Sequence, residues 1–192
     1  MNAPISFTVT NVRAADLRDP NEAARIEAFV IEHGGTPFHR PLWLNAIERG
    51  TGQRALGLVA ERGGTLTGWL PLTEVHSPLF GRALVSSGFA VDGGVLAQKT
   101  ADAEALCHAA QEMALRHCAA SVELRGGVAP SEWRSTNQTH CGFISDLAAD
   151  DEAQLLAIPR KSRAEVRKGL KNDLSVKVGS EETDRSAHYS FY

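Results

Sequence analysis

The densest group of chemically competent side chains lies late in the chain, between Ile158 and Asp173. Arg160, Lys161, Arg163, Arg167, Lys168 and Lys171 stand there against a single acid, Glu165. At helical spacing Arg160, Arg163, Arg167 and Lys171 fall on one stripe, Lys161 and Lys168 widen it, and Val166 and Leu170 form a narrow apolar seam on the other side. The segment from Arg160 to Lys171 carries +5 of a chain whose formal total is −3, which leaves −8 for the rest. Positive charge so concentrated argues for one local anion site rather than a general nucleic-acid coat. Arginine suits phosphate because its planar fork binds two oxygens at once. A solvated helix face is the plainer reading of the same run.

Other chemistry finds less support. Ser86 and Ser87 sit in Val85-Ser-Ser-Gly88, which lacks the strand-to-helix elbow of a serine nucleophile. The seven histidines show neither HExxH nor any metal-ligand spacing. Arg49-Gly-Thr-Gly-Gln-Arg54 superficially resembles a phosphate loop. It joins a helix to a strand, though, so it reads as a helix C-cap, since phosphate loops draw their power from the N-terminus of a following helix. Glu123-Leu-Arg-Gly-Gly127 does follow a strand but has no lysine or serine placed as a P-loop requires. Thr67-Gly-Trp-Leu-Pro-Leu-Thr73 is a strand holding Pro71, which marks an edge or a bulge, and its Trp69 reads equally well as core or as site. Leu84–Gly94 combines small residues, Phe89 and one carboxylate, Asp92, with glycines that allow close backbone approach to a ligand.

The elements that position these residues follow from periodicity and punctuation. A strand is predicted over Ile5–Val12, a helix over Pro20–His33 and a second helix over Leu42–Arg49 ending at Gly50. Strands Arg54–Arg62 and Thr65–Val75 meet at the turn Gly63-Gly64. Short strands broken by Gly88 and Gly93-Gly94 lie within Arg82–Ala97. The longest helix, Thr100–Cys118, buries Ala103, Leu106, Cys107, Ala110, Met113, Ala114 and Cys118. Strands follow at Ala120–Leu124 and Gly142–Leu147, then helix Asp150–Ala157, the basic helix, strand Leu174–Val178 and an amphipathic segment toward Tyr192. This order predicts an α/β domain with a mixed, largely antiparallel sheet over residues 1–147, and the opening of a second, truncated unit over 148–192.

With 192 residues, 43% hydrophobic and 22% charged, the chain reads as an ordinary soluble protein. Three cysteines without CxxC spacing read as reduced thiols, and with no signal peptide and no transmembrane segment they imply a cytoplasmic location. A truncated unit exposes apolar edges, which leaves a homodimer open.

An ordered series of stretches carries a further indication. Thr36-Pro-Phe-His-Arg-Pro-Leu-Trp43, Gly68-Trp-Leu-Pro-Leu72, Ser77-Pro-Leu-Phe-Gly81, Leu84-Val-Ser-Ser-Gly-Phe89, Gly93-Gly94, Val122-Glu-Leu-Arg125 and Pro159–Lys168 together resemble the FemAB-like acyltransferases, in particular the branch associated with PEP-CTERM/exosortase polysaccharide systems. The resemblance implies two GNAT-like domains and transfer of an aminoacyl or acyl group to an amine or hydroxyl of a cell-envelope or exopolysaccharide precursor. It implies no tightly bound cofactor, an acyl donor that is aminoacyl-tRNA or acyl-CoA, and partners that are a phosphate-bearing precursor and, for the first donor, tRNA. The substrate-binding residues it suggests are Trp43, Trp69, Ser86 and Phe89 with Arg160, Lys161, Arg163, Arg167 and Lys168; it names no catalytic base. The R/Q-x-x-G-x-G/A pyrophosphate loop of GNAT folds is absent from the chain, so the expectation is an N-terminal portion that is inactive by itself. The alternatives are a non-catalytic GNAT-like binding module and an acetyl-CoA-dependent N-acetyltransferase.

Overall fold

The computed structural model describes residues 10–136 and 141–191, and the chain divides into two units, Met1–Ser135 and Thr136–Tyr192. In the first unit the order is β1 (Asn11–Ala14), α1 (Pro20–Glu32), a 3-10 turn (Pro37–His39), α2 (Pro41–Thr51), β2 (Arg54–Arg62), β3 (Thr65–Ser77), β4 (Gly81–Ser86), β5 (Leu96–Ala97), α3 (Thr100–Arg116) and β6 (Val122–Glu123). The sheet order is β1-β2-β3-β4-β6, with β5 also paired to β3. Every pairing is antiparallel except β4 with β6, where Leu84 faces Val122 and Val85 faces Glu123. The expected α/β class with a mixed, largely antiparallel sheet is what the chain adopts.

Two core clusters place helices on both faces of the sheet. Ile26, Phe29, Val30 and Leu44 of α1 and α2 pack with Val59, Leu66 and Trp69. Ala103, Leu106, Cys107, Ala110, Met113 and Ala114 of α3 pack with Leu58, Ala60, Leu70, Leu72 and Leu84. Burial on both faces explains why β2 and β3 read as nearly continuous apolar runs. A bulge decides which face takes which residue. Ala60 pairs with Gly68 but Glu61 with Leu66, so Thr67 is the extra residue. The insertion reverses the alternation, sending Leu66 toward α1 and α2 while Leu70 and Leu72 face α3.

Several predicted boundaries are corrected. Residues 5–9 of the first predicted strand lie outside the described residues. Helix α2 passes through Gly50 and is capped by Gly52 at φ 72°, whose N–H donates to Glu48 O at 2.9 Å. Pro71 lies in the interior of the sheet, not on its edge, and the bulge is at Thr67. The proline is tolerated because β3 changes partner there: Leu72–Ser77 pair with β4, Gly68 and Trp69 with β5. Cys118 leaves the α3 stripe, exposed at φ 53° after the helix has ended.

The second unit holds α4 (Asp151–Ala157), α5 (Arg160–Gly169) and α6 (Glu182–Tyr189). Asp150 caps α4, its carboxylate accepting from Ala153 N at 2.8 Å. The strands predicted over Gly142–Leu147 and Leu174–Val178 are not formed. No ladder partner lies beside either among the described residues, and a lone extended segment has no partners for its backbone groups. No described residue of this unit is buried. Among the described residues, no helix is long and apolar enough to cross a membrane.

Candidate functional site

β4 and β6 run parallel and end at Ser86 and Glu123, so the loops that leave them emerge on the same side. The carboxyl ends of parallel strands, where strand order changes, are where α/β sheets bind ligands. Here the loop after β4 takes an unusual path. Ser87 and Phe89 both lie in the left-handed region, at φ 44° and 62°. Side chains with a Cβ avoid that region by roughly 1–2 kcal/mol, so the surrounding structure must impose it.

The imposing contacts are identifiable. Ser87 N donates to Pro71 O at 3.3 Å, and Gly88 N to the Oγ1 of buried Thr73 at 3.0 Å. Ser87 Oγ donates to Phe38 O, and Trp43 Nε1 to Gly88 O at 3.3 Å. From the β6 side, Arg125 N donates to Ser86 Oγ at 2.8 Å and Arg125 Nη1 to Ala90 O at 2.7 Å. The loop then closes against the turn after β6, where Val95 bridges Gly127. Gly94 must be glycine there: a Cβ would sit 1.9 Å from Gly126 O. Gly93, at φ 109°, would drive a Cβ to 2.5 Å from Ser87 Oγ.

His39 locks the other wall. It is buried, Thr36 N donates to its Nδ1 at 3.0 Å, and the Gly94 backbone is a further hydrogen-bond partner of the ring. Nδ1 is therefore the unprotonated nitrogen. Burial pulls the imidazole below its ordinary value, against the opposing pull of Asp92, so it stays neutral at pH 7. Its carbonyl accepts from Trp69 Nε1 at 2.7 Å.

Four of the residues singled out from sequence belong to this assembly. Trp43 is half-buried, stacking edge-on against Phe38 with ring centroids 4.9 Å apart, and Phe89 is 57% exposed. These two present an aromatic surface beside the loop. Trp69 and Ser86 are fully buried, so they position the wall rather than offer a surface to a ligand. Phe38, His39, Thr73, Ser87 and Arg125 were not singled out as site residues. Phe38, His39, Ser87 and Arg125 stand inside the stretches that carry the resemblance, but nothing in their local spacing shows that separate segments converge on one loop. With Arg125 one-third exposed, the assembly offers an apolar aromatic face and one cation. Asp92 is its half-buried carboxylate, its Oδ1 lying against Gly126, so a carboxylate of the chain itself occupies the Glu123–Gly127 turn. Among the described residues no group of three or more His, Cys, Asp or Glu is placed to hold a metal ion.

The five cations lie in the second unit, on α5. Arg160, Lys161, Arg167 and Lys168 are exposed. Arg163 is committed elsewhere, donating from Nη2 to Leu156 O at 2.8 Å and to Ile158 O at 2.9 Å. It satisfies carbonyls at the end of α4 that a helix leaves without partners.

No family model matches the sequence, and no curated protein matches it. The chain is similar in structure to a ribosomal-protein-alanine N-acetyltransferase from Brucella melitensis biovar Abortus 2308, at 15% identity and TM-score 0.44, covering 90% of this chain and 100% of that one. It is similar to a GNAT family acetyltransferase from Staphylococcus aureus at 11% identity and TM-score 0.47, covering 72% and 98%. A GNAT family acetyltransferase from Brucella melitensis in complex with acetyl-CoA matches at 19% identity and TM-score 0.43, covering 64% and 79%.

Proposed function

We propose that the chain contributes to acyl transfer of the FemAB type, carrying an aminoacyl or acyl group to an amine or hydroxyl of a cell-envelope or polysaccharide precursor. The observation that carries the reading is the Ser87–Gly94 loop. Two non-glycine residues, Ser87 and the exposed Phe89, are held left-handed at the carboxyl ends of a parallel strand pair, beside half-buried Trp43. Strain of this kind clusters at active sites, ligand clamps and switch regions.

Acyl transfer needs mainly positioning, stabilisation of the developing oxyanion and removal of one proton. Within the first unit Trp43 and Phe89 would pack against the acyl group or its carrier. The second unit, taken by itself, offers the exposed cations Arg160, Lys161, Arg167 and Lys168 of α5, which would bind phosphate. The donor is acyl-CoA or aminoacyl-tRNA. One observation favours a binding module without turnover instead: His39, the imidazole at the loop, is buried and its Nδ1 is already occupied.

Calorimetric titration with acetyl-CoA and with a charged tRNA separates the donors, and a radiolabelled acyl group followed into an amine acceptor separates turnover from binding. Phe89→Ala should weaken the bound donor at least tenfold while leaving the melting temperature within a few degrees. Equal affinity in the variant, or no affinity of the parent for either donor, refutes the assignment of this loop.

A further inference from the structure

The opposite end of β4 carries a feature that the site does not use. β3 and β4 stay paired to Ser77 and Gly81, so the connection is only Pro78-Leu79-Phe80. Ser77 Oγ accepts from both Leu79 N and Phe80 N at 3.3 Å, which fixes the backbone of the turn. Leu79 is nevertheless 81% exposed and Phe80 85%. A rigid tip that holds two adjacent large apolar side chains in water is unexplained by folding, because neither contributes to either core cluster.

Two half-exposed guanidiniums share one carboxylate near the tip. Arg82 follows the tip directly, and Arg82 and Arg54 both pair with a single carboxylate, Glu74, at 3.2 and 3.9 Å, which His117 Nδ1 also meets at 2.9 Å. The last turn of α3 is tied to the same end, Arg82 Nη1 reaching His117 O at 3.5 Å and Ala120 N donating to Arg82 O at 2.8 Å. It adds exposed Leu115. Arg54 and Arg82 keep about half or more of their side-chain surface in solvent.

We propose that this tip docks the protein on an anionic lipid bilayer, Leu79 and Phe80 entering the interface while Arg54 and Arg82 meet headgroup phosphates. The combination supplies the two signals, apolar insertion and basic attraction, that reversible peripheral binding requires. A protein partner fits less well. Two side chains on a three-residue convex turn fall far short of the roughly 800 Å² per side of a specific interface.

Sedimentation of the full chain with vesicles of phosphatidylcholine alone, and with one quarter phosphatidylglycerol, tests the proposal. Binding is expected to the anionic vesicles, weakening as salt rises from 0.05 to 0.3 M. The double variant Leu79→Ser/Phe80→Ser should lose at least tenfold in partitioning with an unchanged circular dichroism spectrum. In Phe80→Trp, brominated lipid should quench emission beyond the parent's level. Equal partitioning of the double variant, absence of parental binding, or a double variant that changes only the sedimentation-equilibrium mass, which would identify a second copy as occupant, each overturns it.

Discussion

Replacing Trp69 by Phe separates a wall residue from a ligand contact. Trp69 has no exposed surface and packs among Ile26, Phe29, Val30, Leu44, Val59 and Leu66. Its Nε1 satisfies His39 O at 2.7 Å. Phenylalanine leaves that buried carbonyl without its donor, about 1–3 kcal/mol. It also buries roughly 50 Å² less apolar surface, ~1 kcal/mol at about 25 cal/mol per Å². The expected loss is about 2–4 kcal/mol, or a urea midpoint lowered by about 1–2 M for a unit of this size. Trp43→Phe makes the contrast: a half-buried ring loses one hydrogen bond of 3.3 Å to Gly88 O and about 1 kcal/mol. Urea unfolding followed by far-ultraviolet circular dichroism on both variants measures the difference. If Trp69→Phe unfolds at the parental midpoint yet binds donor more weakly, then Trp69 faces ligand and the division of roles between the two tryptophans is wrong.

Three other outcomes follow from particular contacts. His39 is buried and held below its ordinary value of 6.5, so the folded state resists a proton that the unfolded chain accepts; stability is full above about pH 6.5 and falls as pH drops through the folded value, a slope that His39→Gln should flatten in urea midpoints taken from pH 7.5 to 5. Gly94→Ala should cost about 2 kcal/mol or more and speed hydrogen exchange at Val95 and Gly127, because its Cβ collides with Gly126 O. The Cys107 thiol, pushed up to about 11 by burial, should resist a thiol reagent at pH 8 until urea is added, while exposed Cys118 and Cys141 react at once.

The basic stripe shows where local reading stops. Helical spacing placed Arg163 and Arg167 on one face, and both are on α5. Their chemistry differs because Arg163 lies five residues past Ile158 and folds back on the carbonyls that α4 leaves open, whereas Arg167 meets no such end. A periodicity argument sees the face of a helix but not the terminus of its neighbour. The two predicted strands of the second unit failed for a related reason. Val176 and Val178 have strand-forming side chains, yet a strand exists only with a partner, and pairing is never a property of one segment.

What the sequence determined by itself is the local grammar: the Gly63-Gly64 hairpin, the α1 helix, the α3 stripe, and the small-residue, aromatic character of the stretch after β4. Each depends on residues within a few positions of one another, where φ, ψ and side-chain period are set by near neighbours. Only the tertiary structure decided that Trp69 is wall and Phe89 is surface, and that Pro71 sits at a change of strand partner rather than an edge. It also decided that Ser87 and Phe89 are held left-handed, with Phe38, Trp43, Thr73 and Arg125 hydrogen-bonded to their loop. Those contacts join positions 15 to 49 residues apart, and a strained backbone persists only where such surroundings impose it.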